Sequence, residues 1–108
     1  MYYPVGVTGT LAQLIDAMVA DFNVSPKGIY VESIFAGGYK EVMDKAQTAF
    51  LAGSPPDLTV LDAANLLTLS DINAIISLDD FIAKEGGSKF VEEFLSAFMK
   101  IARHGGKT

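Results

Sequence analysis

The chain has 108 residues, half of them hydrophobic, a mean hydropathy of +0.32 and a formal net charge of −5. That length allows one domain with a modest core. The acidic balance, without any Lys/Arg cluster, argues against nucleic acid and anionic membrane surfaces as partners. The absence of cysteine excludes disulfide frameworks and thiolate chemistry.

Residues 2–7 read as a strand, and no secretory signal precedes them in this chain. If the native protein is exported, its signal has been removed. A helix is expected over 10–22. Leu11, Leu14, Ile15, Met18 and Phe22 form one apolar stripe at helical spacing. Thr10 followed by Gln13 has the spacing of a capping box. The run 23–28 turns the chain, and 28–35 reads as a strand with Ile29, Val31 and Ser33 on one face. The spacing of Val42, Met43, Ala46, Ala49 and Phe50 predicts a second helix over 39–51. Gly53 ends it as a C′ residue, and Pro55-Pro56 prevents continuation. Residues 57–61 then read as a third, interior strand. Strands joined by single helices imply right-handed crossovers and a parallel sheet.

After residue 61 only helical patterns follow. A short helix is expected over 62–69, an irregular turn over 70–76, and another short helix over 78–85 with Ser77 as its cap. Gly86-Gly87 breaks that helix. Ser88 caps a longer one with Phe90, Val91, Phe94, Leu95, Phe98 and Ile101 on its apolar face. The expected architecture is α/β, a partial doubly wound parallel sheet (βαβαβ, then helices) in a single incomplete domain over 1–108. The chain ends at Gly105-Gly106-Lys107-Thr108, where a turn is expected to feed another strand.

In open parallel sheets ligands gather beyond the carboxyl ends of the strands. Three segments meet there: 6–10, 37–39 and 62–65. Gly6 and Thr8 belong to a loop that either cradles an anion or hydroxyls, or is a tight turn into a helix. It is neither a P-loop nor a full dinucleotide fingerprint. Gly38 and Tyr39 offer a close backbone approach and a ring that either stacks on a sugar face or packs on the protein. Asp62 suits hydrogen bonding to a polyol and equally suits an N-cap, roles that can coexist. Asn65 is the remaining candidate. His104, the single histidine, reads as a solvated residue at a helix end. With no Cys and no Gly-x-Ser-x-Gly elbow, triad chemistry has no support, and no metal-ligand spacing occurs. No enzyme activity, cofactor or metal is expected.

Several segments together carry a resemblance. They are Val-Ala-Asp-Phe-Asn (19–23), Tyr-Val-Glu-Ser-Ile-Phe-Ala-Gly-Gly-Tyr (30–39), Ala-Gln-Thr-Ala-Phe-Leu-Ala-Gly-Ser-Pro-Pro-Asp-Leu (46–58) and Ile-Ser-Leu-Asp-Asp-Phe-Ile (76–82). The chain resembles the amino-terminal region of extracellular solute-binding proteins of ABC importers, family 1, the type that binds sugars and glycerol 3-phosphate. Its most specific piece is Phe-x-Ala-Gly-x-Pro-Pro-Asp. The resemblance implies part of the N-terminal lobe of a periplasmic-binding-protein fold and a periplasmic or extracytoplasmic location for the intact protein. It also implies a sugar or polyol ligand, phosphorylated or not, and an ABC permease as partner. Tyr39 and Asp62 fall where such proteins place a ligand-contacting Tyr and acidic residue. The loop after the first strand departs from the family, carrying Pro4-Val5-Gly6 where an aromatic or His is frequent.

Such proteins close two lobes about a hinge, and this chain matches part of one. Half a site, uncovered sheet edges and exposed apolar faces are therefore expected, with pairing between chains as a dimer or swapped assembly. The alternative is a stand-alone flavodoxin-like regulatory domain or a small oligomeric assembly domain. A receiver-type domain also needs acidic residues ending its first strand, where this chain has 4–7, Pro-Val-Gly-Val.

Overall fold

A computed structural model describes residues 1–4, 10–25 and 28–108, with the side chains of 10–12 not described. The chain divides into two compact units, Met1–Asp62 and Ala63–Thr108.

The first unit is built on strand β1 (Tyr2–Tyr3), which pairs in parallel with β2 (Ile34–Phe35) in the register Tyr2 to Ile34 and Tyr3 to Phe35. On the other side of β1, Tyr2 makes a parallel bridge to Thr59. The Tyr2 N–H donates to Leu58 O at 3.0 Å, and the Val60 N–H donates to Tyr2 O at 2.9 Å. β1 thus lies between the other two segments.

All three segments are shorter as ladders than the sequence suggests, for identifiable reasons. The residue of β1 that would extend pairing toward Leu61 is Pro4, which has no N–H to donate. Proline in a strand bonded on both sides stops the ladder there. β2 pairs with β1 at Ile34 and Phe35, after residues 28–31. Val31 is bonded by a side chain instead. The Asn23 amide donates to Val31 O and accepts from the Val31 N–H, both at 2.8 Å. Asn23 thereby supplies both hydrogen bonds that a neighbouring strand would have made. The expected strand over 2–7 extends into 5–9, which lie outside the described residues.

Helix α1 (Thr10–Asn23) connects β1 to β2, and α2 (Tyr39–Leu51) connects β2 to the Thr59 segment. Neighbouring residues of a strand face opposite ways. The Tyr3 hydroxyl reaches Asp16 of α1 at 3.4 Å, whereas the Tyr2 ring lies 5.9 Å from Nζ of Lys45 in α2. The two helices therefore meet β1 on opposite faces. The core is small: Tyr3, Val42, Met43 and Ala46 are buried, and Val42 is fully so. α2 ends as its sequence implies. Gly53 takes φ 75°, its N–H reaches Phe50 O at 3.0 Å, and the Ser54 N–H reaches Ala49 O at 2.9 Å. These two bonds define a Schellman motif.

The second unit contains α3 (Ala63–Asp71), α4 (Asp79–Lys84), α5 (Ser88–Val91) and α6 (Ser96–Ile101). α3 closes the way α2 does, with Asn73 at φ 54° and bonds Asn73 N–H to Ser70 O and Ala74 N–H to Leu69 O. α4 packs on α5. The single long helix expected from Ser88 is instead two short ones, with Leu95 extended between them at ψ 125°. Its apolar face has little to rest on: Phe94, Leu95, Phe98 and Ile101 are each more than half exposed. A helix of this length draws its stability from packing of that face, so continuity is lost where packing is absent. Within the unit Phe90 and Phe94 meet edge to face at 5.4 Å.

Candidate functional site

Parallel pairing sends β2 and the Thr59 segment out of the sheet at the same end of the first unit. Gly38 and Tyr39 come three and four residues after Phe35, and Asp62 comes three residues after Thr59. The fold thus brings these three expected site residues to one end of the sheet. Gly6 and Thr8 lie outside the described residues. Asn65 belongs to α3, in the second unit.

The chain reaches α2 through Ala36, Gly37 and Gly38. Gly38 is the N-cap in extended conformation, and no side chain caps the helix. Tyr39 opens the first turn with its ring about half exposed. The N–H groups of Tyr39, Lys40 and Glu41 precede the first intrahelical bond, Val42 N–H to Gly38 O at 3.0 Å. They lie at the positive end of the helix dipole.

The paired glycines have a purpose that the sequence reading did not assign. Glu41 folds back over them. A Cβ on Gly37, at φ 98°, would lie 2.9 Å from Glu41 Cβ, and one on Gly38 would lie 2.9 Å from a Glu41 carboxylate oxygen. The close approach expected at this turn is made by the chain's own acidic side chain. Sequence did carry a signal for it, because an acidic residue at the third helical position is the one placed to reach back to the amino end.

Charges around this end are few. Lys40, next to Tyr39, points along α2 to Asp44 at 2.6 Å, an exposed pair one turn apart. This contact raises the Lys40 pKa, first through the hydrogen bond to Asp44 and then through its charge. Burial pushes the Tyr3 hydroxyl up, with the neighbouring Asp16 carboxylate adding to the effect. Among the described residues no group of His, Cys, Asp and Glu could hold a metal ion, and no helix is long and apolar enough to cross a membrane.

A separate open concavity of about 480 Å³ lies in the second unit, lined in part by Asp79, Ile82, Val91, Arg103 and Thr108. The Asp79 carboxylate is committed locally. Asp79 accepts from the Ser77 hydroxyl at 2.7 Å and from the Thr108 N–H at 3.2 Å. The Ser77 bond above all, then Thr108 and the charge of Arg103, hold Asp79 below the usual aspartate pKa. Ser77 in return accepts the Asp79 N–H at 3.2 Å, but the cap position expected for it is held by Leu78, which makes no side-chain cap bond, because α4 starts one residue later than expected. His104 is exposed and bridges Lys107 across the turn at Gly105-Gly106.

Comparison with known proteins gives one consistent result. The chain is 30% identical over 95 residues to the sn-glycerol-3-phosphate-binding periplasmic protein UgpB of Agrobacterium fabrum, covering 86% of this chain and 22% of that protein. It is 28% identical over 86 residues to the proteins of the same name from Brucella abortus and Brucella suis, covering 79% of this chain and 20% of each. The chain therefore spans about a fifth of the length of the curated relatives it matches. No family model matches, and no solved structure matches. The relatives are periplasmic binding proteins and not enzymes, in agreement with the expectation of no catalytic chemistry.

Proposed function

We propose that the chain is part of the amino-terminal lobe of an ABC importer's solute-binding protein and recognises a sugar or polyol without covalent chemistry. The observation that carries this reading is its similarity, along most of its own length, to periplasmic proteins named for binding sn-glycerol 3-phosphate. The geometry supports it, since Gly38, Tyr39 and Asp62 leave the sheet at one end, where parallel α/β folds place ligands. In this reading the short parallel ladder belongs to a doubly wound sheet. Hydroxyls of the solute take hydrogen bonds from the first-turn N–H groups of α2 and give them to Asp62, while Tyr39 stacks on an apolar sugar face. An opposing lobe supplies the rest of the burial, and closure about the hinge presents the loaded form to a permease. The intact protein works outside the cytoplasm.

The test is the mass and location of the native gene product, detected with an antibody to this segment. The proposal expects a product several times heavier than 11.5 kDa in the osmotic-shock fraction. A cytoplasmic product of about this size would refute it.

The uncovered apolar faces support a second reading for the isolated chain. Leu95, Phe98 and Ile101 are the kind of surface that drives self-association, and a homodimer or swapped pair is proposed on that ground. A monodisperse monomer by light scattering at high concentration would count against it.

A further inference from the structure

Strand β2 is bonded to β1 on one side, through alternate residues. The Met1 ammonium donates to Glu32 O at 2.6 Å, the Ile34 N–H to Met1 O at 2.8 Å and the Ala36 N–H to Tyr3 O at 3.2 Å. The residues between them, Ser33 and Phe35, turn their N–H and C=O groups the other way. Among the described residues no hydrogen bond reaches those groups. Unpaired groups on a sheet edge are a template for another strand.

This edge is closed on both sides of the open stretch. Val31 has the same alternation as Ser33 and Phe35, and the Asn23 amide takes both its backbone groups at 2.8 Å. Beyond Phe35 the next residue of that alternation is Gly37, where φ of 98° takes the chain out of extended geometry. The open edge is therefore Ser33 and Phe35 alone.

Two open residues separated by one are complementary to themselves. About a two-fold axis at Ile34, antiparallel pairing sets Ser33 opposite Phe35 of a second copy, and Phe35 opposite its Ser33. Each facing pair exchanges hydrogen bonds in both directions, which satisfies every open group on both edges. Ile34, 38% exposed, meets its own counterpart at the axis in the close, non-hydrogen-bonded pair. Glu32 falls opposite Ala36, so like charges do not face each other. An axis at Ser33 would call on Val31, which Asn23 seals, and an axis at Phe35 would call on Gly37. A longer strand from an unrelated partner would run onto the Asn23 side chain. In the two-fold pair the residue that arrives opposite Val31 is Gly37, where the second copy's chain has already turned.

We propose that the chain pairs with a second copy of itself through the free edge of β2, antiparallel about a two-fold axis at Ile34. The inference rests on the reading that the isolated chain self-associates and gives that association a surface and a register. So few hydrogen bonds make a weak pair, with a Kd on the order of 1 mM.

The test is NMR of the 108-residue chain over a dilution series in the millimolar range, with an equal mixture of 13C-labelled and unlabelled chain. The pair should give a cross-copy NOE between Ile34 Hα protons, and concentration-dependent protection of the Ser33 and Phe35 amides. Ile34→Lys sets like charges at the axis. Ser33→Pro removes a donor from each edge and leaves the bonds to β1 untouched. Each should weaken pairing at least about tenfold, with the Tyr3 amide still protected as a sign that the sheet is intact. Phe98→Ser, on the exposed face of 94–101, should leave pairing unchanged. Pairing without the Ile34 NOE, or pairing that Ile34→Lys leaves intact, overturns the edge contact and leaves self-association standing. A monomer at every concentration overturns both.

Discussion

Replacing Val42 with alanine should test whether the contact of α2 with β1 holds the first unit together. Val42 is fully buried and the core around it is small, with Tyr3, Met43 and Ala46 the other buried hydrophobic residues of the unit and Pro4 buried beside them, among the described residues. Two methyl groups leave the core, costing about 1.6 kcal/mol at ~0.8 kcal/mol each. Incomplete collapse around the space adds up to about 1 kcal/mol. Alanine returns about 0.5 kcal/mol as the better helix former. The net loss is therefore about 1–2 kcal/mol, a substantial share of the stability of a small chain. With a urea slope of ~1–1.5 kcal/mol/M, the unfolding midpoint should fall by about 0.7–2 M. Leu51→Ala, at an 81% exposed position of the same helix, should stay within about 0.5 kcal/mol of the parent. Urea titration followed by circular dichroism reads both. A Val42→Ala midpoint equal to that of Leu51→Ala would refute the argument that this contact is the core.

The remaining predictions concern turns and a single carboxylate. Asn23→Ala removes both bonds to the Val31 backbone. It should cost about 1–2 kcal/mol and speed hydrogen exchange at the Val31 amide relative to Tyr2. Gly37→Ala forces a side chain into φ 98° and against Glu41, whereas Gly53→Ala at φ 75° meets open space. The first should destabilise by about 2–3 kcal/mol and the second by about 1 kcal/mol, compared by thermal melting. Asp79 is held below the usual aspartate pKa, first by the Ser77 hydroxyl. Its contribution is therefore present above the unfolded aspartate pKa and is lost as pH falls through the lower folded value. The Thr108 amide resonance should follow that acid titration, and Asp79→Asn should remove the step.

The helices were the legible part of the fold because period and stop signals coincide in them. α2 occupies the span that its apolar stripe and Gly53 marked out, and α1 extends only one residue beyond its stripe. The strands were legible as segments but not as ladders. Hydrophobic pattern says which stretch prefers extended backbone, not which N–H groups find partners. Pro4 was visible in the sequence, yet its effect depends on β1 being bonded on both sides, a property of the assembled sheet. The capture of Val31 by Asn23 likewise depends on how α1 returns the chain. The break between α5 and α6 follows from what the apolar face fails to touch, which periodicity does not report. The position of Gly38, Tyr39 and Asp62 at one end of the sheet was readable from the strand order, and their role toward a solute is part of the proposal. Glu41 was missed because two glycines suggested an external visitor, when a side chain four residues on from Gly37 was the one approaching.

The most direct test of solute recognition at the carboxyl end of the sheet is an amide perturbation map of the chain titrated with maltose, repeated on Tyr39→Ala and Asp62→Asn. The account predicts shifts clustered at 37–39 and 62, with binding weakened at least about tenfold in each variant, the loss expected for a stacked ring or a charged hydrogen-bond partner. Perturbations confined to 79–108, or affinities unchanged by both substitutions, would contradict it.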